Sequence, residues 1–279
     1  MIGVRRLRDL HRAGPLALAI ALMGSWPVAA QRASEDPTAA AAAEAEQRSS
    51  PEALADYARA ANYQNNEAFD LAAEGWRAFL QTHGQDPKAI DARYQLGVCQ
   101  MQLKNYREAS KVLQAVVDSQ TPFDRREDAY LNLGWTLYSL ALKNQPELFP
   151  QADQTFAGLL QEFPEGQYRD QALFFRGESL YLQTKREEAA AAYQQVVDGF
   201  PESELRDDSI YALGVTFEEL GRYQQAGRLY DSFIGEFPEH ELLPEVKMRK
   251  AETILRSKDF AEAARRFAEV AAIPGFKAA

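Results

Sequence analysis

The chain has 279 residues, 46% of them apolar and 11% aromatic, which is material for one or two packed domains and too much for a disordered protein. A net charge of −10 removes the phosphate-neutralising surface on which nucleic-acid affinity rests. One cysteine, Cys99, and three scattered histidines, His11, His83 and His240, allow no internal disulfide and offer no zinc-ligand spacing.

The first predicted element is a targeting segment. Arg5, Arg6, Arg8 and Arg12 precede the apolar run PLALAIALMGSWPV, and Val28-Ala29-Ala30 supplies the small-residue pattern of a cleavage site. The strict apolar run from Leu16 to Met23 is far shorter than the roughly 20 residues that cross a bilayer. A signal peptide over residues 1–30, cleaved after Ala30, is therefore expected, with export to the periplasm or cell envelope. Cleavage would remove four arginines and Asp9, taking the net charge from −10 to −13. No cysteine follows the apolar run to accept a lipid. Residues 31–50, QRASEDPTAAAAAEAEQRSS, carry no bulky apolar side chain and read as an alanine-rich, low-complexity linker.

From residue 51 onward a repeat of 37 residues organises the chain. Phe-Pro-Glu recurs at Phe163, Phe200 and Phe237, each step being 37 residues. The same step, with a six-residue insertion between Gly134 and Ala152, aligns Ala60, Gly97, Gly134, Gly177, Gly214 and Ala251 in one small-residue column. Twelve residues later a second column is all alanine: Ala72, Ala109, Ala152, Ala189, Ala226 and Ala263. At a background of about one in ten, six alanines in register is an accident of order one in a million, so chance is set aside. Four residues further on stand Trp76, Leu113, Phe156, Tyr193, Tyr230 and Phe267, all bulky. Small residues let two helices approach closely, the bulky residue one turn later fills the groove, and proline stops the second helix because it has no amide hydrogen to donate. The spacing predicts first helices near 51–64, 88–103, 124–142, 168–183, 205–220 and 244–257. Their partners are predicted near 67–81, 106–119, 150–163, 185–199, 223–236 and 259–272. No segment in 51–272 alternates with period two for long enough to argue a strand. The expected fold is all-α, a right-handed superhelical solenoid of about six antiparallel hairpins over residues 51–274.

Small residue, alanine, aromatic and closing proline at these spacings resemble the tetratricopeptide repeat over residues 51–274. The chain departs from that family in its 37-residue period, where 34 is usual, and in Phe79, Val116, Leu159, Val196, Phe233 and Val270, where a second alanine is usual. The F-P-E closures, the acidic reopening ESELRDD and the signal peptide are similar to the bacterial envelope branch of the family, which has BamD-like and CpoB-like members. The resemblance implies a scaffold or adaptor that binds proteins or peptides. It implies neither nucleic acid nor a small-molecule substrate as partner.

In tetratricopeptide repeats the first helices line the concave wall. Three residues before the small column stand Tyr57, Tyr94, Leu131, Phe174, Tyr211 and Met248, which form either an aromatic ladder for an extended peptide or the packing between helices. Asp91, Asp128, Asp208, Glu218 and Trp135 fall on the same wall, making the expected groove acidic and aromatic. Asn132 holds one position of the family's clamp for a C-terminal carboxylate, but Tyr94, Leu131 and Asp91 replace its basic partners, so that specificity is not expected. Cys99 shares its column with Asn62, Thr136, Ser179, Thr216 and Thr253 and reads as a packed, inert thiol. No phosphate loop, metal-binding histidine pair or nucleophile elbow is present, so neither catalysis nor a cofactor or metal is expected. After the sixth hairpin, AAIPGFKAA brings Pro274 into the connector position. Residues 275–279 then read as a tail or the start of a further repeat, and the last second helix would leave Phe260, Phe267 and Val270 uncovered, a surface for self-association.

Overall fold

The computed structural model describes residues 48–273. The expected signal peptide, most of the linker and the tail from residue 274 lie outside the described residues. Twelve α-helices follow one another and the described residues contain no strand. They pair as α1 (Pro51–Asn65) with α2 (Phe69–Thr82), α3 (Ala89–Gln102) with α4 (Tyr106–Val117), and α5 (Arg126–Lys143) with α6 (Phe149–Glu162). The second half pairs α7 (Arg169–Leu182) with α8 (Arg186–Gly199), α9 (Arg206–Glu219) with α10 (Tyr223–Glu236), and α11 (Leu243–Arg256) with α12 (Phe260–Ala271). Each helix packs on the helices before and after it in sequence, and first helices of adjacent hairpins also touch at the centre of the array. This is the six-hairpin, all-α solenoid expected from the period.

The three columns build every hairpin. All six alanines of the second column are buried, and so are Trp76, Leu113, Phe156, Tyr193 and Tyr230. These bulky residues lie directly over the small column. A Cβ added at Gly97 would stand 2.6 Å from Leu113, at Gly134 2.6 Å from Phe156, and at Gly177 2.6 Å from Tyr193. At these three positions glycine is favoured by the close approach, not by a turn. Where the second helices end, Phe163, Phe200 and Phe237 leave helical geometry with ψ of 69°, 69° and 60°. The following proline forces that change, because its ring crowds the α conformation of the residue before it.

Within five of the six hairpins the chain turns through a single left-handed residue: Glu67, Lys104, Thr184, Gly221 and Lys258, with φ between 59° and 72°. These five share one column of the repeat. The third hairpin lacks it because the six-residue insertion falls there. The insertion lengthens α5 to 18 residues, where most of the other helices have 14, and adds a short 3-10 helix at Pro146–Leu148.

The carboxyl edge differs in part from expectation. Val270 is buried, because it lies on the side of α12 that faces α11, and Phe267 is half-buried. Phe260 is open, with 66% of its surface exposed.

Candidate functional site

The first helices are tied to one another by tyrosine hydroxyls. Tyr57 on α1 donates to Asp91 on α3. The Tyr94 hydroxyl on α3 accepts from Asn132 Nδ2 on α5 at 3.0 Å and from Arg125 Nη2 at 3.1 Å, and the Arg125 guanidinium also lies 4.4 Å over the Tyr94 ring. Tyr138 on α5 donates to Glu178 on α7 at 3.1 Å, and Tyr168, just before α7, donates back to Asp128 at 3.3 Å. Tyr181 on α7 donates to Glu219 on α9 at 2.6 Å, and Tyr211 on α9 donates to Glu245 on α11 at 2.7 Å. Every gap between consecutive first helices is bridged in this way.

Two bridges extend into buried clusters. Glu178, 2% exposed in the middle of α7, accepts from Tyr138 and, at 2.6 Å, from Tyr193 of its own hairpin. Glu218 accepts from Tyr230 at 2.5 Å and pairs with Arg249 at 3.1 Å, while Arg249 Nε donates to the Tyr211 hydroxyl at 3.1 Å. Burial pushes the Glu218 carboxyl above its ordinary range despite the pull of Arg249. Burial likewise raises Tyr138, Tyr193 and Tyr230 well above the ordinary phenol value, with the neighbouring carboxylates adding to it. Buried charge is tolerable only where such hydrogen bonds replace water.

This network corrects the expected groove. Tyr94, Phe174 and Tyr211 are buried, and Tyr57 is half-buried with its ring edge on Trp76 at 4.8 Å. They fill the seam between hairpins, because a ring one turn before the small column points at the aromatic of the same hairpin: Phe174 lies 6.0 Å from Tyr193. Trp135 is half-buried edge-on to Tyr106 of α4 at 5.8 Å, in the seam with the preceding hairpin. Asp91, Asp128 and Glu218 serve as acceptors within the fold, and Asp208 is half-buried on α9. Asn132 is committed to Tyr94. Cys99 is buried, donates to Gln64 Oε1 at 3.2 Å, and burial pushes its thiol up to about 12.

One depression opens where α9, α10 and α11 meet, lined by Glu218, Glu219, Tyr223, Glu252, Thr253 and Arg256, with a volume of about 250 Å³. Glu218 is taken up by Arg249 and Glu219 by Arg186, which leaves Glu252, exposed at the rim, as the carboxylate that faces a ligand. Its residues sit at the end of α9, the start of α10 and the end of α11, a juxtaposition that the sequence reading missed for Glu252, Tyr223 and Arg256. Among the described residues no group of three or more His, Cys, Asp or Glu comes together to hold a metal ion. None of their helices is long and apolar enough to cross a membrane.

Stacked antiparallel hairpins with a hydrogen-bonded first-helix row define an α-solenoid scaffold. Tetratricopeptide repeat models match residues 61–126, 171–203 and 208–240, and the last two matches begin 37 residues apart, in step with the period read from the sequence. No curated protein matches the chain. Among solved structures, a tetratricopeptide repeat protein from Parabacteroides merdae is 15% identical, with 79% of each chain covered and a TM-score of 0.58. MamA from strain AMB-1 is 18% identical over 69% of this chain and 96% of that one, with a TM-score of 0.55. MamA from Desulfovibrio magneticus RS-1 is 15% identical over 65% and 93%, with a TM-score of 0.52. At these identities the likeness is one of fold. Tetratricopeptide repeats generally mediate protein–protein interaction and are generally non-catalytic.

Proposed function

We propose that the protein is an exported scaffold of the bacterial cell envelope, which holds partner proteins or peptides along its first-helix side and prefers cationic segments. The observation that carries the binding preference is the exposed Glu252 carboxylate at the rim of a depression of about 250 Å³, roomy enough for a lysine or arginine side chain. Support for export comes from the ordered basic, apolar and small-residue segments of residues 1–30.

Reversing Asp91 or Asp128 would damage stacking as well as binding, so the informative variant is Glu252→Lys at the exposed rim. Fluorescence polarisation with labelled basic, neutral and acidic peptides is expected to rank basic first, and E252K to weaken the basic peptide about tenfold, the loss of one charge-assisted contact worth about 1.4 kcal/mol. Equal binding of acidic peptides, or an unchanged affinity in a variant with intact circular dichroism, would remove the cationic preference. The compartment is tested separately: mass spectrometry of the mature chain is expected to begin at Gln31. Recovery of outer-membrane assembly proteins by the purified chain from envelope extract would assign the BamD-like role, and recovery of Tol-Pal or division proteins the CpoB-like role.

A further inference from the structure

Five times in this molecule the same face of a first helix seats on the same face of the second helix before it. The residue five before the small column belongs to that face, and Ala92, Ala129, Ala172, Ser209 and Val246 are all fully buried there. So does the residue two after it, where Cys99, Thr136, Ser179, Thr216 and Thr253 are buried as well. Gly227 on α10 shows what they meet, since a Cβ there would stand 3.3 Å from Thr253 Oγ1 on α11. Beside this face Arg176 reaches back to Asp153 at 2.9 Å and Lys250 to Asp231 at 2.5 Å. On α1 the corresponding residues are Ala55 and Asn62, and both are exposed. Their own hairpin partner, α2, is in place, and among the described residues no second helix stands in front of them.

The opposite half of the interface is open on α12. Ala264 holds the column of Ala73, Ala190 and Gly227, each of which is buried under the following first helix, yet Ala264 is exposed. Phe260 holds the column of the buried Tyr106 and Phe149 and is 66% exposed. Phe260, Ala264, Phe267 and Ala271 fall on one helical face at spacings of four, three and four. This face has the form of a seat for a first helix.

We infer that the α12 face of one molecule seats the α1 face of a second copy, continuing the stack head to tail. The occupant is named by the interface itself: the chain carries both complementary halves of a contact that it already makes five times, one half uncovered at each end of the described array. Ala55 and Ala264 are small enough for the close approach that the internal seats require. Arg59 stands in the column from which Arg176 and Lys250 reach back. Such a contact is heterologous, so a dimer leaves one half open at each end and further copies can add to it. The inference is independent of what the depression binds.

Sedimentation velocity of the full chain over a concentration series tests it. The expected result is a weight-average mass that keeps rising with concentration. Ala55→Glu blocks one half and Ala264→Glu the other, so each variant alone is expected to remain a monomer, while an equimolar mixture forms a dimer through the two intact halves. Both positions are exposed, so the substitutions leave the hairpins intact, which circular dichroism verifies. A monomer at all concentrations overturns the proposal and indicates that these faces are covered within one chain. Continued association of either variant alone overturns it too, by showing contact through another surface or between like ends.

Discussion

An added methyl group at Gly177 or Gly214 would lie 2.6 Å from the Tyr193 ring or 2.5 Å from the Tyr230 ring, inside the distance at which carbon atoms coexist. Alanine favours a helix over glycine by about 1 kcal/mol, so a substitution at an unhindered helical site would stabilise. Here two opposing effects meet, and overpacking of a closed seam, at about 1–3 kcal/mol, is the larger. Tyr193 and Tyr230 cannot simply step aside, because their hydroxyls are held by Glu178 and Glu218. Gly177→Ala and Gly214→Ala are therefore expected to lower the urea midpoint, whereas Gly199→Ala, with nothing within 4 Å of its added Cβ, is expected to raise it or leave it unchanged. A higher midpoint for Gly177→Ala would mean that the aromatic does not seat on the small column.

At the scale of the helix, the hairpin turn is the place where local conformation and residue type disagree. Five turns pass through a left-handed residue, and only one of these is glycine. Thr184 is the most strained of them, since a β-branched side chain in that region crowds the backbone. Thr184→Gly is expected to stabilise by about 1 kcal/mol, and Gly221→Ala, where open space leaves only the backbone term, to destabilise by a similar amount. Thermal unfolding of the two variants measures both. The helices and their pairing were legible in the sequence because packing imposes residue type at fixed columns: Ala72 to Ala263 cannot be larger, and Trp76 to Tyr230 fill what they leave. The turns were not, because Glu67, Lys104, Thr184 and Lys258 give no conformational signal of their own. Nor were the bridges between hairpins. Tyr57 to Asp91 and Tyr211 to Glu245 are each 34 residues apart, one helical turn short of the period, while Tyr181 to Glu219 is 38. A pattern in which a hydroxyl in one repeat meets a carboxylate in the next needs the offset between helices, which no single column displays.

Across the whole molecule these bridges make stability sensitive to alkali. The unfolded chain titrates its phenols near 10.0, whereas in the folded chain burial raises Tyr168 to about 12 and holds Tyr138, Tyr193 and Tyr230 well above the ordinary value. A raised folded value means that the native state binds the proton more tightly than the unfolded one. The contribution is thus fully present below pH 10.0 and lost as the pH rises through the folded values. Each fully suppressed phenol costs up to about 1.4 kcal/mol per pH unit in that window, and the suppressed phenols occur in successive hairpins, so the losses accumulate along the array. Repeat arrays rely on nearest-neighbour interfaces, and Tyr138, Tyr181 and Tyr211 each tie one hairpin to the next. Above pH 10 the array is therefore expected to lose its inter-hairpin contacts in one cooperative step, with phenolate ultraviolet absorbance and loss of helical circular dichroism changing together. Tyr138→Phe, Tyr193→Phe double substitution removes two of the titrating groups but leaves Glu178 buried without its two donors. It should lower stability at neutral pH and flatten the alkaline slope. Smooth phenol titration centred on 10.0 ahead of any change in helicity would show that these hydroxyls are open to water, and the bridged row would then not hold the hairpins in solution.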